Sequence, residues 1–459
     1  MVGSLVLLDY VYRQFLTFGL AAISGGPTYT LNASSSGNID GLGRLTQAQE
    51  TISYPSQSNR SHAYTLGYNM QSGLTDASIT NINGSTCTAN YSYKKDGNIE
   101  TKTINSSDTD YEYDTNAVNG SVFDSDIMTK AGGDSLVWDA NGRLAATPTV
   151  SFEYNGDGKL RKATIGSNSI ALKYDPQGNR VYKASSVAGN CKYIVDVSGG
   201  LPTILCEIDP TDGSLKKSYV YANGQILCQY DGETDPNRYF YVHDRLGSVR
   251  LVTDAFGTVR NSYTYNSFGE MFPTECNEAV YNPFKFIGQW FDSEIGQYYL
   301  RARMYDPVLM RFTGRDPVRG KFQNPLTLHP YLYCVNNPIN ATDKTGRLYE
   351  SLLADALLAD LRAQDTRASV NFYNWAKEGI NVCEAYMNAR LLAGIMMYEE
   401  IQGAIVGDIE MDVAKSIAGW FLPTEAKVIM KITLYKYGVM TGDNSAGPDI
   451  PNTTSWLGD

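Results

Sequence analysis

The chain has 459 residues and a formal net charge of −11 at neutral pH, with 33 tyrosines, 42 glycines and 3 histidines. That length accommodates two or three domains, and the acidic balance, with no basic run, argues against nucleic acid binding by the repeat region. Seven cysteines without a Cys-x-x-Cys pair argue against a zinc site or a full disulfide framework, so no metal or cofactor is expected.

Residues 1–39 open on "MVGSLVLLDYVYRQFLTFGLAAISGG", where Asp9 and Arg13 interrupt the apolar run and no basic region precedes it. This reads as an apolar, irregular leader joined to a chain that begins mid-repeat, and no transmembrane span is expected. From residue 40 to 270 one theme recurs: an aromatic strand end, then a turn containing Asp or Asn followed by Gly. "YKKDGNI" at Tyr93, "WDANGRL" at Trp138, "YNGDGKL" at Tyr154 and "YDPQGNRV" at Tyr174 carry it. Residues after each glycine alternate apolar and polar, which predicts strands with one buried face. Asp or Asn closes the turn on its own backbone and Gly takes the positive-φ position. No single hairpin buries its face alone, so stacked neighbours must share a continuous, spiralling β-sheet.

This unit resembles the Tyr-Asp-x-x-Gly-Asn/Arg consensus of the Rhs/YD-repeat family. "YVHDRLGSVRLVTDAFGTVRNSYTYNSFGE" (Tyr241 to Glu270) and "FKFIGQWFDSEIGQYYLRARMYDPVLMRFTGRDP" (Phe284 to Pro317) are similar to that family's most specific segments. The resemblance implies a mainly β fold: YD-repeat hairpins forming a shell over 40–270, closed by an Rhs-associated core or plug over 271–347. It also implies a bacterial secreted or cell-surface protein whose shell encloses its own variable C-terminal segment, often a toxin. A secretion apparatus or an immunity protein would be further partners.

In members that process themselves, two aspartates and an arginine of the core release that segment. By resemblance these positions fall on Asp316, Asp343 and Arg303, with the cut near Gly346, Arg347 and Leu348. A carboxylate pair suits metal-free peptide hydrolysis, one member acting as base on water and the other as acid. A guanidinium can hold one of them ionised. The closing motif, "DKTGRL", departs from the family pattern: Lys344 stands where Pro is expected and Arg347 where Leu is expected. The structural alternative is that Arg301, Arg303, Arg311 and Arg315 pair with Asp292, Asp306 and Asp316 inside the plug, with Asp-Pro pairs starting turns. His243, Asp244 and Ser248 lie too close in sequence to converge as a hydrolase triad.

After Gly346 the pattern changes. Residues 348–440 carry apolar residues at helical spacing, beginning with Leu352, Leu353, Ala356 and Leu357, which predicts a mainly α-helical, acidic domain without histidine. Residues 441–459 read as a flexible tail. The rival functional class is a non-catalytic surface protein binding a glycan or a protein partner through tyrosine-rich faces.

Overall fold

The computed structural model describes residues 17–351 apart from 22–26, 34–37, 41, 43, 55–57, 119–120, 199–200, 223, 233–236, 321–324 and 348–349. The chain divides into two units, Tyr12–Asp355 and a second formed by Met1–Val11 with Ala356–Asp459. The second lies outside the described residues, and with it most of the expected helical domain at 348–440 and the tail at 441–459. Among the described residues no helix is long and apolar enough to cross a membrane.

The described unit is an antiparallel meander. Ten strands, Thr17–Ala21 to Asp134–Ser135, pair strictly with their neighbours in sequence, and fourteen more, Val137–Trp138 to Asn277–Glu278, do the same. The wall starts before residue 40, contrary to the expected leader. Thr28–Asn32 pairs in register with Gln47–Ser53, and Tyr29 and Leu31 are buried. Its "TYTLN" alternation is too short to stand out beside the preceding apolar run.

Repeat turns that open on Asp or Asn share one construction. Asp139 Oδ1 accepts the N–H of Asn141 at 2.9 Å and of Arg143 at 3.0 Å. Asp175 does the same for Gln177 and Asn179, and Asp244 for Leu246 and Ser248. Gly142 and Gly178 supply the left-handed residue at φ +72° and +84°. The tyrosines then tie one repeat to the next: each hydroxyl donates to the carbonyl that follows the preceding turn. Tyr68 reaches Leu45, Tyr93 reaches Leu74, Tyr154 reaches Leu144 and Tyr174 reaches Leu160, all at 2.6–2.8 Å. Tyr154→Phe would strand the Leu144 carbonyl, so stability should fall by about 1–3 kcal/mol. A lowered urea midpoint of the full chain is the check.

The sheet winds back on itself. Glu50, in the strand Gln47–Ser53, meets Arg250, in the strand Val249–Asp254, in a buried pair at 2.5 Å. Arg60 lies 3.6 Å from Glu275, and the Asn83 N–H donates to the Glu275 carboxylate. The early strands thus seat against the late ones.

Inside lies a separate four-stranded sheet: Trp290–Asp292, Gln297–Leu300, Arg303–Asp306 and Arg311–Phe312. An aromatic cluster of Phe286, Tyr298, Tyr305, Phe312 and Tyr333 packs around it. Of the arginines and aspartates expected to pair within this plug, Arg303 and Asp316 do so at 2.8 Å, whereas Asp292 and Arg311 turn to the wall. Asp292 binds Arg180 at 2.8 Å and Lys183 at 3.0 Å. Arg311 donates to the Tyr113 hydroxyl, the Asn98 side chain and the Asp126 carbonyl. Asp306 caps the N–H groups of Val308 and Leu309 and accepts from Gln297. A plug inserted into a shell has its nearest charges across the interface, which sequence proximity does not show.

Candidate processing site

Three of the expected site residues meet at the mouth of the plug. Arg303 opens the strand Arg303–Asp306, its guanidinium stacked 3.5 Å over the Phe312 ring and buried. Its Nη2 lies 2.8 Å from Asp316 Oδ2 and 3.5 Å from Asp343 Oδ2, so both carboxylates converge on one nitrogen. Nη1 donates to the Pro330 carbonyl at 3.0 Å, and the Asp316 N–H donates to that same oxygen at 2.9 Å. Nε donates to the Gly346 carbonyl at 2.6 Å. Burial pushes the Asp316 carboxyl above its ordinary range; Arg303 opposes that rise and Asp343 adds to it.

Asp343 sits in a turn of the repeat type. Its Oδ1 accepts the N–H groups of Thr345 and Arg347, each at 3.2 Å, and the Thr345 hydroxyl at 3.0 Å. Gly346 takes φ +66°, the place glycine holds in the wall turns. "DKTGR" is therefore a YD turn by geometry, with its Pro-to-Lys344 change on a residue held through its main chain.

Three consecutive residues grip three consecutive carbonyls. The Arg301 guanidinium donates to Lys344 O at 2.5 Å, the Ala302 N–H to Thr345 O at 3.1 Å, and Arg303 Nε to Gly346 O. Gly346 lies flat on this tight turn: a Cβ there would come within 2.3 Å of the Leu300 carbonyl. Gly346→Ala should therefore lift the segment off the turn. Any cut at this place should slow by ~10²-fold, the usual cost of roughly 1 Å of misplacement, as read by intact mass over time.

A cavity of about 430 Å³ opens beside these groups, lined by Arg303, Asp316, Arg347 and the wall residue Lys159 among others. Arg301 and Lys159 are the functional candidates that sequence reasoning passed over. Arg301 stands in the quoted "YLRAR" stretch, but Lys159 in "YNGDGKL" looks like any repeat position. Leu348, the third residue of the expected cut region, lies outside the described residues. His243, Asp244 and Ser248 form no triad. Both His243 ring nitrogens lack a hydrogen-bond partner, burial draws its pKa down to about 4, and Asp244 is occupied by turn amides. Among the described residues no group of three His, Cys, Asp or Glu is placed to hold a metal ion.

The family model for the teneurin YD-shell matches residues 28–339. The chain belongs to this YD-shell family. That span contains Arg303 and Asp316 and ends just before Asp343. Related YD-shell proteins include the tRNA3(Ser)-specific nuclease WapA of Bacillus spizizenii, 30% identical over 261 residues, which cover 56% of this chain and 11% of that protein. The toxin protein Tse5 of Pseudomonas aeruginosa is 30% identical over 183 residues, covering 38% of this chain and 13% of its own length. The chain thus spans about a tenth of the length of these two relatives. Among solved structures, the Photorhabdus luminescens Tc holotoxin pore aligns over 70% of this chain and 15% of its own, at 15% identity and a TM-score of 0.42.

Proposed function

We propose that this YD-shell chain encloses its own C-terminal segment, as a toxin-type cargo, and releases it by hydrolysing the Gly346–Arg347 peptide bond. The observation carrying this reading is the position of Arg303, which holds Asp316, Asp343 and the Gly346 carbonyl together while Asp343 Oδ1 accepts the Arg347 N–H. In this reading Asp316 is the acid, a role its raised pKa favours, and Asp343 is the base. As a water oxygen bonds to the Gly346 carbonyl carbon, Asp343 takes a water proton and Asp316 gives its proton to the carbonyl oxygen. Arg303 Nε stabilises charge developing on that oxygen. Asp343 then passes its proton to the Arg347 nitrogen, Asp316 recovers one from the diol, and the C–N bond breaks. The products are a Gly346 carboxylic acid and a new Arg347 amine, which ionise in solution to carboxylate and ammonium, with both aspartates restored.

Intact mass and N-terminal sequencing of the purified full chain test this, alongside Asp343→Asn. Separation of the wild type before Arg347, absent in the variant, is expected; a wild type that stays whole overturns the reading. The carbohydrate-binding alternative draws little from the tyrosines: among the described residues Tyr281 is the exposed one, and the repeat hydroxyls are spent on carbonyls. Presentation outside a bacterial cell belongs to this same proposal.

A further inference from the structure

One cation at the site comes from the wall. Lys159 closes a repeat turn in which Asn155 Oδ1 accepts the N–H groups of Asp157 and Lys159. Its ammonium leaves that turn, donates to the Arg301 carbonyl at 2.7 Å and lies 3.4 Å from the Ala302 carbonyl. These two residues form the tight turn joining Gln297–Leu300 to Arg303–Asp306, and Arg301 holds φ +58°. A residue with a side chain keeps that left-handed conformation only where its surroundings over-determine it. The surroundings are legible here. The Arg301 guanidinium holds the Pro202 carbonyl and the Gln289 side chain as well as Lys344 O. The Ala302 N–H holds Thr345 O, and Lys159 holds the turn from its carbonyl side.

The ammonium is partly stripped of water. Burial draws its pKa down to about 8, Arg347 adds to that effect, and Asp157 and Asp175 oppose it. A partly desolvated ammonium gains more from carbonyl acceptors than an exposed one does. The turn it grips is the same three-residue element that grips 344–346.

We propose that Lys159 is a positioning residue for the cut: by holding the Arg301–Ala302 turn from the wall, it makes hydrolysis at Gly346 depend on the wall being closed around the plug. The inference rests on the processing reading above. Its physical content is that the carbonyl grip has two sides, one in the plug and one 142 residues earlier in the repeats.

The test follows full-length chain by intact mass in wild type, Asp316→Asn, Lys159→Met and Lys159→Arg, with a melting temperature for each. Lys159→Met keeps the length and removes the donors, so cutting should slow by ~10²-fold. Lys159→Arg keeps a charged donor and should recover most of the rate. In Lys159→Ala, added n-propylammonium should enter the cavity and restore part of it, which a loss of general stability would not permit. Lys159→Met cutting at the wild-type rate, while Asp316→Asn stays whole, overturns the Lys159 assignment alone. Met and Arg variants equally slow and equally low-melting also overturn it, reducing Lys159 to a structural contact. A wild type that never separates overturns the processing reading, and this inference with it.

Discussion

A chain carrying Asp316→Asn should stay at full length under conditions in which the wild type separates between Gly346 and Arg347. The amide preserves the shape of the carboxylate and an acceptor for the Val318 N–H. It cannot deliver a proton to the Gly346 carbonyl oxygen or take one back. Loss of a positioned acid–base group costs ~10²–10⁴-fold, so over hours no product should be seen on a gel or by mass. The pH dependence has a definite sign. Asp316 must enter protonated, and burial raises its pKa, so the rate should climb as pH falls from neutral through that raised value. A rate independent of acidification, or an Asp316→Asn chain that separates normally, would remove the aspartate pair from the mechanism.

The second large effect is on stability. Arg180→Met removes the closest partner of Asp292, whose side chain is fully buried between wall and plug. Burial works to raise this carboxyl's pKa, and Arg180 with Lys183 overcomes it and holds the pKa below the usual range. Breaking such a pair from one side leaves an uncompensated buried charge, at a cost of about 3–5 kcal/mol. The melting temperature of the full chain should drop markedly. Arg180→Met combined with Asp292→Leu should recover part of the loss, because the buried charge goes with its partner. Acid should act in the same direction on the wild type. A depressed carboxyl contributes stability above its unfolded pKa and loses it as pH falls through the folded one. If the single variant melts with the wild type, the pair does not hold plug to wall.

Much of the wall was legible in the sequence because its determinants are local. The Asp or Asn turn, its glycine and the tyrosine before it lie within a few residues, and each does in three dimensions what its spacing implied. Thr28–Asn32 escaped because five residues beside an apolar run carry too little pattern. The partners of the plug were illegible for a different reason. Arg180, Lys183 and Lys159 sit at repeat positions, and nothing nearby marks them as belonging to Asp292, Glu294 or the Arg301 turn. Register in a wound sheet decides which repeat faces which part of the plug, and register accumulates over more than a hundred residues. Arg303, Asp316 and Asp343 came from resemblance; spacing alone offered only crowded charges. Arg301 was visible as one arginine among four, with no sign that it would serve the main chain.

The grip of residues 301–303 on 344–346 has a consequence for inheritance. Every contact in it is to a carbonyl oxygen, and the one side chain it forbids is anything larger than hydrogen at Gly346. Arg347 joins the same turn through its main chain, its N–H donating to Asp343 Oδ1. On the processing reading proposed above, a crossover that replaced the coding region beyond this joint would present the grip with the same three acceptors.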